Sequence, residues 1–315
     1  MNQNRSVLMS LSMGALIIGA AGCAIVPKAS SAAADKAGQE SASTVVVSMA
    51  SSAAPNQETS GHQSDFSLSG RQIQGGVMLG TVPTGTTVLR FDGKPVAVAP
   101  DGTFIIAFNR DAPAQSTLVA TLRGGKLVSK ALNVSKRSWK IERVNIALRR
   151  SGPSAAFQKI RAPEIAQINA ARRKNHNSIG WRQSFIWPVK GRISGMFGSQ
   201  RIYKGQPGSY HSGVDIATGK SGTPIVAPAD GVVILAAARP FSLEGNLLMV
   251  DHGMGLNSAF LHLSKIDVKN GQIVKRGQLL GRIGSTGRAT GPHLHWSMKW
   301  KRARIDPILL TGPMN

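Results

Sequence analysis

Cysteine and acidic side chains are both scarce in this sequence, and each shortage bears on what the chain can do. One cysteine, Cys23, stands in 315 residues, which rules out a disulfide framework and leaves no thiol for chemistry beyond the N-terminal segment. Only 15 Asp and Glu balance 38 Lys and Arg, a formal net charge of +23. Such an excess calls for an anionic partner, and nucleic acid, anionic lipid head groups and an acidic cell-wall polymer all qualify. No run reaches the roughly 20 apolar residues that a membrane-spanning helix needs. Basic helices are few and no nucleic-acid-binding motif accompanies the charge, so nucleic acid is set aside as a partner. No His-Glu-x-x-His helix occurs, and Gly281-Arg282-Ile283-Gly284 lacks the Gly-Lys-Ser/Thr that would make it a phosphate loop.

The N-terminus reads as an export signal over 1–23. Arg5 precedes 14 uncharged residues from Leu8 to Ala21, and small residues follow. The ending Ala20-Ala21-Gly22-Cys23 resembles a bacterial lipobox, in which the cysteine is lipidated and becomes the mature N-terminus. Cys23 is therefore the expected lipidation site, since the only cysteine falls where such a signal needs it. Ala20 replaces the usual Leu, which leaves cleavage without a lipid open. Residues 24–65 are mostly Ala, Ser, Thr, Gln and Gly and cannot repay their ordering entropy by burial, so they read as a flexible tether.

The remaining chain is expected to be all-β. Over 66–150 short apolar runs alternate with turns. Thr87–Phe91 leads into Asp92-Gly93, and Val96–Ala99 leads through Asp101-Gly102 into Phe104–Phe108. Asp-Gly between apolar runs is a hairpin signal, and two more runs flank Gly124-Gly125. The expectation is a small N-terminal β-sandwich-like module without chemistry of its own, because it holds neither histidines nor clustered carboxylates. Residues 151–185 read as a short helical connector, with Pro163 and Glu164 in the first turn of a helix ending at Arg172-Arg173-Lys174. From 186 to 311 the chain is glycine-rich and β-type again, a C-terminal antiparallel sheet domain.

Five of the seven histidines, at 211, 252, 262, 293 and 295, lie in that last domain. Residues two apart on a strand share a face, so His293 and His295 look into one cavity while Leu294 points the other way. Paired imidazoles on a β-face suit a borderline ion such as zinc, and His211 with Asp215 adds a nitrogen and an oxygen from a second element. Three protein donors leave a position for water, as a catalytic rather than a structural zinc requires. Each motif alone is weak; together in one domain they favour a metal site. His252 reads as structural or surface, His62 and His176 as exposed, and Trp296 as core, since a ligand's immediate neighbour points away from it.

The stretch from about 187 to 308 resembles the lysostaphin-like zinc metalloendopeptidases that degrade peptidoglycan. The likeness is carried by His211-Ser212-Gly213-Val214-Asp215, His293-Leu294-His295, Leu261-His262, Trp187-Pro188-Val189, Gly222–Pro228 and Gly284–Pro292. It implies one Zn2+ per chain held by His211, Asp215 and His295, with His262 and His293 as catalytic histidines. It also implies hydrolysis of peptidoglycan cross-links, the D-alanyl–diaminopimelate bond being favoured. A non-catalytic envelope module or amidase activator of the same fold is the alternative. The expected setting is the periplasmic face of the outer membrane as a lipoprotein, otherwise the periplasm or the medium, with a regulatory envelope partner left open.

Overall fold

The computed structural model describes residues 64–146 and 154–314. The expected export signal with Cys23, all but the last two residues of the expected tether, and His62 lie outside the described residues. Among those described, no helix is long and apolar enough to cross a membrane.

Seven strands come first: β1 (Ser67–Gly70), β2 (Val77–Thr81), β3 (Thr86–Phe91), β4 (Lys94–Val96), β5 (Thr103–Ala107), β6 (Gln115–Leu122) and β7 (Leu127–Asn133). They make two antiparallel sheets, β1-β2-β5 and β4-β3-β6-β7. In β6 Ser116, Leu118 and Ala120 are buried while Gln115 and Thr117 are exposed, so one face of the sheet supplies core. Leu89, Phe104, Ile106, Leu118 and Leu132 are all buried in it.

Asp92 and Gly93 join β3 to β4 with φ of 47° and 74°, the two positive values of a type I′ turn. β6 and β7 likewise pair across Gly124-Gly125. The second Asp-Gly pair departs from expectation. The Gly102 amide donates to the Ala99 carbonyl and closes a turn, but β5 then pairs with β2 in the other sheet. Asp101-Gly102 is thus a corner between sheets. β2 offers the buried run Phe104–Ala107 a five-residue ladder, longer than the three residues of β4.

β8 (Ile141–Val144) leads to α1 (Ala155–Arg173). Next come β9 (Arg192–Gly195), β10 (Gln200–Tyr203), β11 (Gln206–Pro207), β12 (Val214–Ala217), β13 (Pro224–Val226) and β14 (Gly231–Ala236). The chain ends with β15 (Asn246–Gly253), β16 (Leu256–Ile266), β17 (Ile273–Val274), β18 (Leu279–Ile283), β19 (Leu294–Trp300), β20 (Ala303–Ile305) and α2 (Ile308–Thr311). A ten-stranded sheet runs β17-β14-β15-β16-β19-β12-β9, with β13, β18 and β20 attached. Among the named strands the pairing is antiparallel, apart from β8, which lies parallel to β10.

β15 is buried on both faces, which is why it reads as the unbroken apolar run Leu247-Leu248-Met249-Val250. Leu248 and Val250 join the main core with Phe260, Leu294 and Trp296. Leu247 and Met249 face the other way and pack with Ala259 against Ile168 and Ala171 of α1. That second face of the sheet is the one that carries His295.

α1 is longer than the sequence suggests. Pro163 lies inside it rather than in its first turn, because the helix already starts at Ala155, where the Ser154 side chain caps the Phe157 amide. An interior proline costs about 3 kcal/mol, which the helix-favouring residues before it and the packing of Ile168 and Ala171 after it offset. Pro163→Ala is expected to stabilise the protein by about 2 kcal/mol, allowing for the freer unfolded chain. An unchanged or lower denaturant midpoint would count against this account.

Candidate metal and catalytic site

Two adjacent strands and one loop bring three donors together. On β12 and β19, Asp215 and His295 are direct cross-strand partners and so share a face. His211 sits four residues before Asp215 and is pinned by backbone bonds from its amide to Ser199 and from Gly198 to its carbonyl. Its Nε2 lies 3.1 Å from Asp215 Oδ1 and 3.0 Å from His295 Nδ1, and His295 Nδ1 lies 2.8 Å from Asp215 Oδ1. Two glycines make room for this cluster. A Cβ at Gly195, opposite Asp215 on β9, would strike the Asp215 carboxylate, and one at Gly213 would crowd His295 Nε2.

The tautomers follow from carbonyl partners, which only accept. His211 Nδ1–H donates to Met196 O at 3.1 Å, leaving Nε2 as a lone pair aimed at Asp215 and His295. Acceptor atoms held face to face at about 3 Å need a cation or shared protons between them. Burial works against charge on His211, but the hydrogen bond and charge of Asp215 outweigh it and raise its pKa. Burial would raise Asp215, yet His211 and His295 hold its carboxyl far below the usual range. His295 is lowered chiefly by burial. Tetrahedral ligands about 2.0–2.1 Å from zinc stand roughly 3.3 Å apart. The three donor atoms, all within 4.8 Å of one another, therefore fit such an ion with little movement.

His262 and His293 flank this cluster. Their rings are 4.9 Å apart, and His293 Nε2 lies 3.8 Å from Asp215 Oδ1. Each donates Nδ1–H to a backbone carbonyl at 2.8 Å, His262 to Thr286 and His293 to Gly291, so each presents Nε2 as a base. Burial, reinforced by His293 and His295, lowers the pKa of His262 and favours that neutral form.

His262 reaches the site by a departure from strand geometry. Leu261 pairs with His295, so in regular alternation His262 would face the core. Asn246 pairs with Leu263 and Leu248 with Phe260, so three steps on β16 match two on β15, the signature of a bulge. His262 takes φ of 63° there, a left-handed conformation that costs a non-glycine residue on the order of 1–3 kcal/mol. Its amide donates to Glu244 O at 2.8 Å.

Glu244 is in turn gripped by α1. Arg161 forms two bonds of 2.6 Å to its carboxylate and a third, of 2.8 Å, to Glu164. Glu164 accepts from the amide and hydroxyl of Ser242, both at 2.6 Å. Helix, loop and the bulged histidine thus form one polar chain, which separation along the sequence hides. Arg161→Ala is expected to lower kcat by about 10–100-fold, the usual cost of losing an outer-shell support, with zinc content kept. Arg161→Lys should recover part of the loss; full activity in Arg161→Ala would remove the helix from this role.

The other histidines stand apart. His252 is fully buried, donates Nδ1–H to Asp230 O at 2.8 Å and accepts from Ser258 Oγ at 2.8 Å; burial pushes its pKa down to about 4. His176 is half-buried rather than exposed, because its ring pairs with Asp251 at 3.1 Å. Trp296 is core, its Nε1 bonded to Ser258 Oγ at 3.2 Å. Tyr210, beside His211, lies between the Arg110 and Arg304 guanidinium groups at 4.8 and 5.4 Å from its ring centre.

The sequence profile described as Peptidase family M23 matches residues 209–307, the segment that holds all five of these residues. The peptidoglycan DD-endopeptidase ShyA of Vibrio cholerae is 43% identical over 131 residues, 41% of this chain and 30% of its own length. The DD-carboxypeptidase/endopeptidase Mpg of Neisseria gonorrhoeae is 34% identical over 122 residues, 39% of this chain and 27% of its own. The chain therefore spans less than a third of these curated relatives. A crystal structure of a Pseudomonas aeruginosa protein described as a peptidase M23 is similar over far more, with a TM-score of 0.58 and 32% identity across 78% of this chain and 96% of that one. A likeness of that extent, with the family profile centred on the histidine cluster, makes this chain a member of peptidase family M23.

Proposed function

We propose that the protein is a zinc-dependent endopeptidase that hydrolyses peptide cross-links of peptidoglycan in the bacterial envelope, with D-alanyl–diaminopimelate as the bond cut. The observation that carries this reading is the convergence of His211, Asp215 and His295 within 4.8 Å, flanked by two histidines whose Nδ1 atoms are anchored to backbone carbonyls. His211, Asp215 and His295 would hold one zinc. The chemistry such an ion supplies is acidification of a bound water and polarisation of the scissile carbonyl. His262 and His293 divide the rest: one takes the water proton, and either can donate to the developing oxyanion and protonate the leaving amine. Their carbonyl-anchored Nδ1 atoms hold both rings ready for this without rotation.

The names of the similar Vibrio and Neisseria proteins point to peptidoglycan, and the charge of +23 suits a polymer whose stem peptides carry carboxylates. A metal-free binding or activator role has no support in a site that keeps every donor. Lipidation at Cys23 would hold the enzyme at the periplasmic face of the outer membrane; intact mass of the mature protein tests it, and an unmodified Cys23 would refute it. The bond is tested by mass spectrometry of purified peptidoglycan after digestion. Cross-linked dimers should give way to monomers with a free diaminopimelate amine, and an unchanged muropeptide pattern with zinc-loaded protein would reject the activity.

A further inference from the structure

Along β19, His295, Ser297 and Lys299 share the face that carries the metal donors. This face continues as the floor of a cavity of about 240 Å³ that opens beside His295 and is walled by α1. Arg172 from the last turn of α1, Lys299 from β19 and Arg304 from β20 line it. Among the described residues none of the three has a carboxylate partner. The carboxylate nearest in effect, Glu244, favours charge on Arg172 but is held by both bonds from Arg161. Among the described residues the exposed Arg304 guanidinium has only the face of Tyr210. Arg172 Nε is buried with no hydrogen-bond partner among the described residues, a state that native proteins seldom tolerate without a missing acceptor.

Arg172 and Lys299 are also weakened as cations by their surroundings. Lys299 is pushed down to about 8 by burial together with Arg172, Arg304 and Arg302, and Arg172 is lowered by burial and Arg304. Fold stability alone gives no reason to gather unpaired like charges in a cleft.

We propose that Arg172, Lys299 and Arg304 form a cationic subsite that binds a carboxylate of the substrate peptide at a distance from the scissile bond. This rests on the peptidase reading and deepens it. Lys299 lies four residues beyond His295, on the order of 13 Å along the strand. The group bound is therefore a carboxylate about four residues' reach along an extended peptide from the bond cut, such as a stem terminus or a free α-carboxylate. Two guanidinium groups offer planar paired donors to such a group, and the ammonium adds charge.

The test compares two cross-linked peptide dimers, identical except that the stem carboxylates are free in one and amidated in the other. Calorimetry on the zinc-loaded full chain, with His293→Ala preventing turnover, should show the free form binding at least 10-fold tighter. Adding Lys299→Met and Arg172→Gln should abolish that preference, with zinc retained and the thermal midpoint raised by removal of like charges. Equal binding of the two dimers, no binding of either, or a preference that survives the double substitution would overturn the subsite. If the preference is seen but the chain with His293 intact hydrolyses neither dimer, the subsite stands and the peptidase reading falls.

Discussion

Asp215→Ala protein is expected to lose zinc and activity together while keeping its fold. Asp215 supplies the one carboxylate of the proposed donor set and touches both His211 and His295. Its removal leaves two imidazoles, too few for a catalytic zinc site. The fold does not depend on it, since the core of the ten-stranded sheet is closed by Leu248, Phe260, Leu294 and Trp296 on the opposite face. The loss in kcat/KM should exceed the roughly 100-fold that removal of an outer-shell support can cost. Metal analysis of the purified variant beside circular dichroism is the direct check, and full zinc occupancy would withdraw Asp215 from the ligand set.

The same contacts set the expected pH response. In the metal-free site Asp215 raises the proton affinity of His211, so an incoming zinc competes with a proton that Asp215 helps to hold. A ligating imidazole must be neutral. Zinc affinity is therefore expected to fall as pH drops through the raised His211 value and to level off above it. Chelator competition at pH 5 to 8 reads this directly; a flat profile would mean that His211 does not bind the ion.

How much of this was legible in the sequence depends on how local the cause is. The period of a strand is enough to place His293 and His295 on a common face, and both reach Asp215 in the structure. The turn at Asp92-Gly93 is equally local, since two positive φ values select those residue types. Asp101-Gly102 has the same composition, but which strand β5 joins is decided by a partner more than twenty residues away in sequence. Pro163 misled because propensity is a weak prior against a helix with a packed face. Arg161 and Glu244 stand 83 residues apart, and no spacing rule links them. The face of α1 was readable in part: Arg161, Ile165, Ile168 and Arg172 recur at helical spacing and all line the cavity.

His262 is where pattern alone fails most clearly, and it leads to the second large effect. Strand alternation would bury it, and only the bulge with φ of 63° turns it toward His211, Asp215 and His295. His262→Asn is the informative replacement, because asparagine tolerates the left-handed region better than most residues and yet cannot exchange a proton at neutral pH. The variant is expected to fold, to bind zinc fully and to lose about 10²–10⁴-fold in kcat, the range typical of removing an acid–base group. His293→Ala should do the same, since neither residue belongs to the ligand set proposed here. The pH profiles of the residual activities then separate their tasks. Burial lowers His262, so if it is the base that takes the water proton, the acidic limb of kcat/KM belongs to it and flattens in His262→Asn while persisting in His293→Ala. A variant of either histidine that comes out of purification without zinc would show that ligand and catalytic roles are distributed differently.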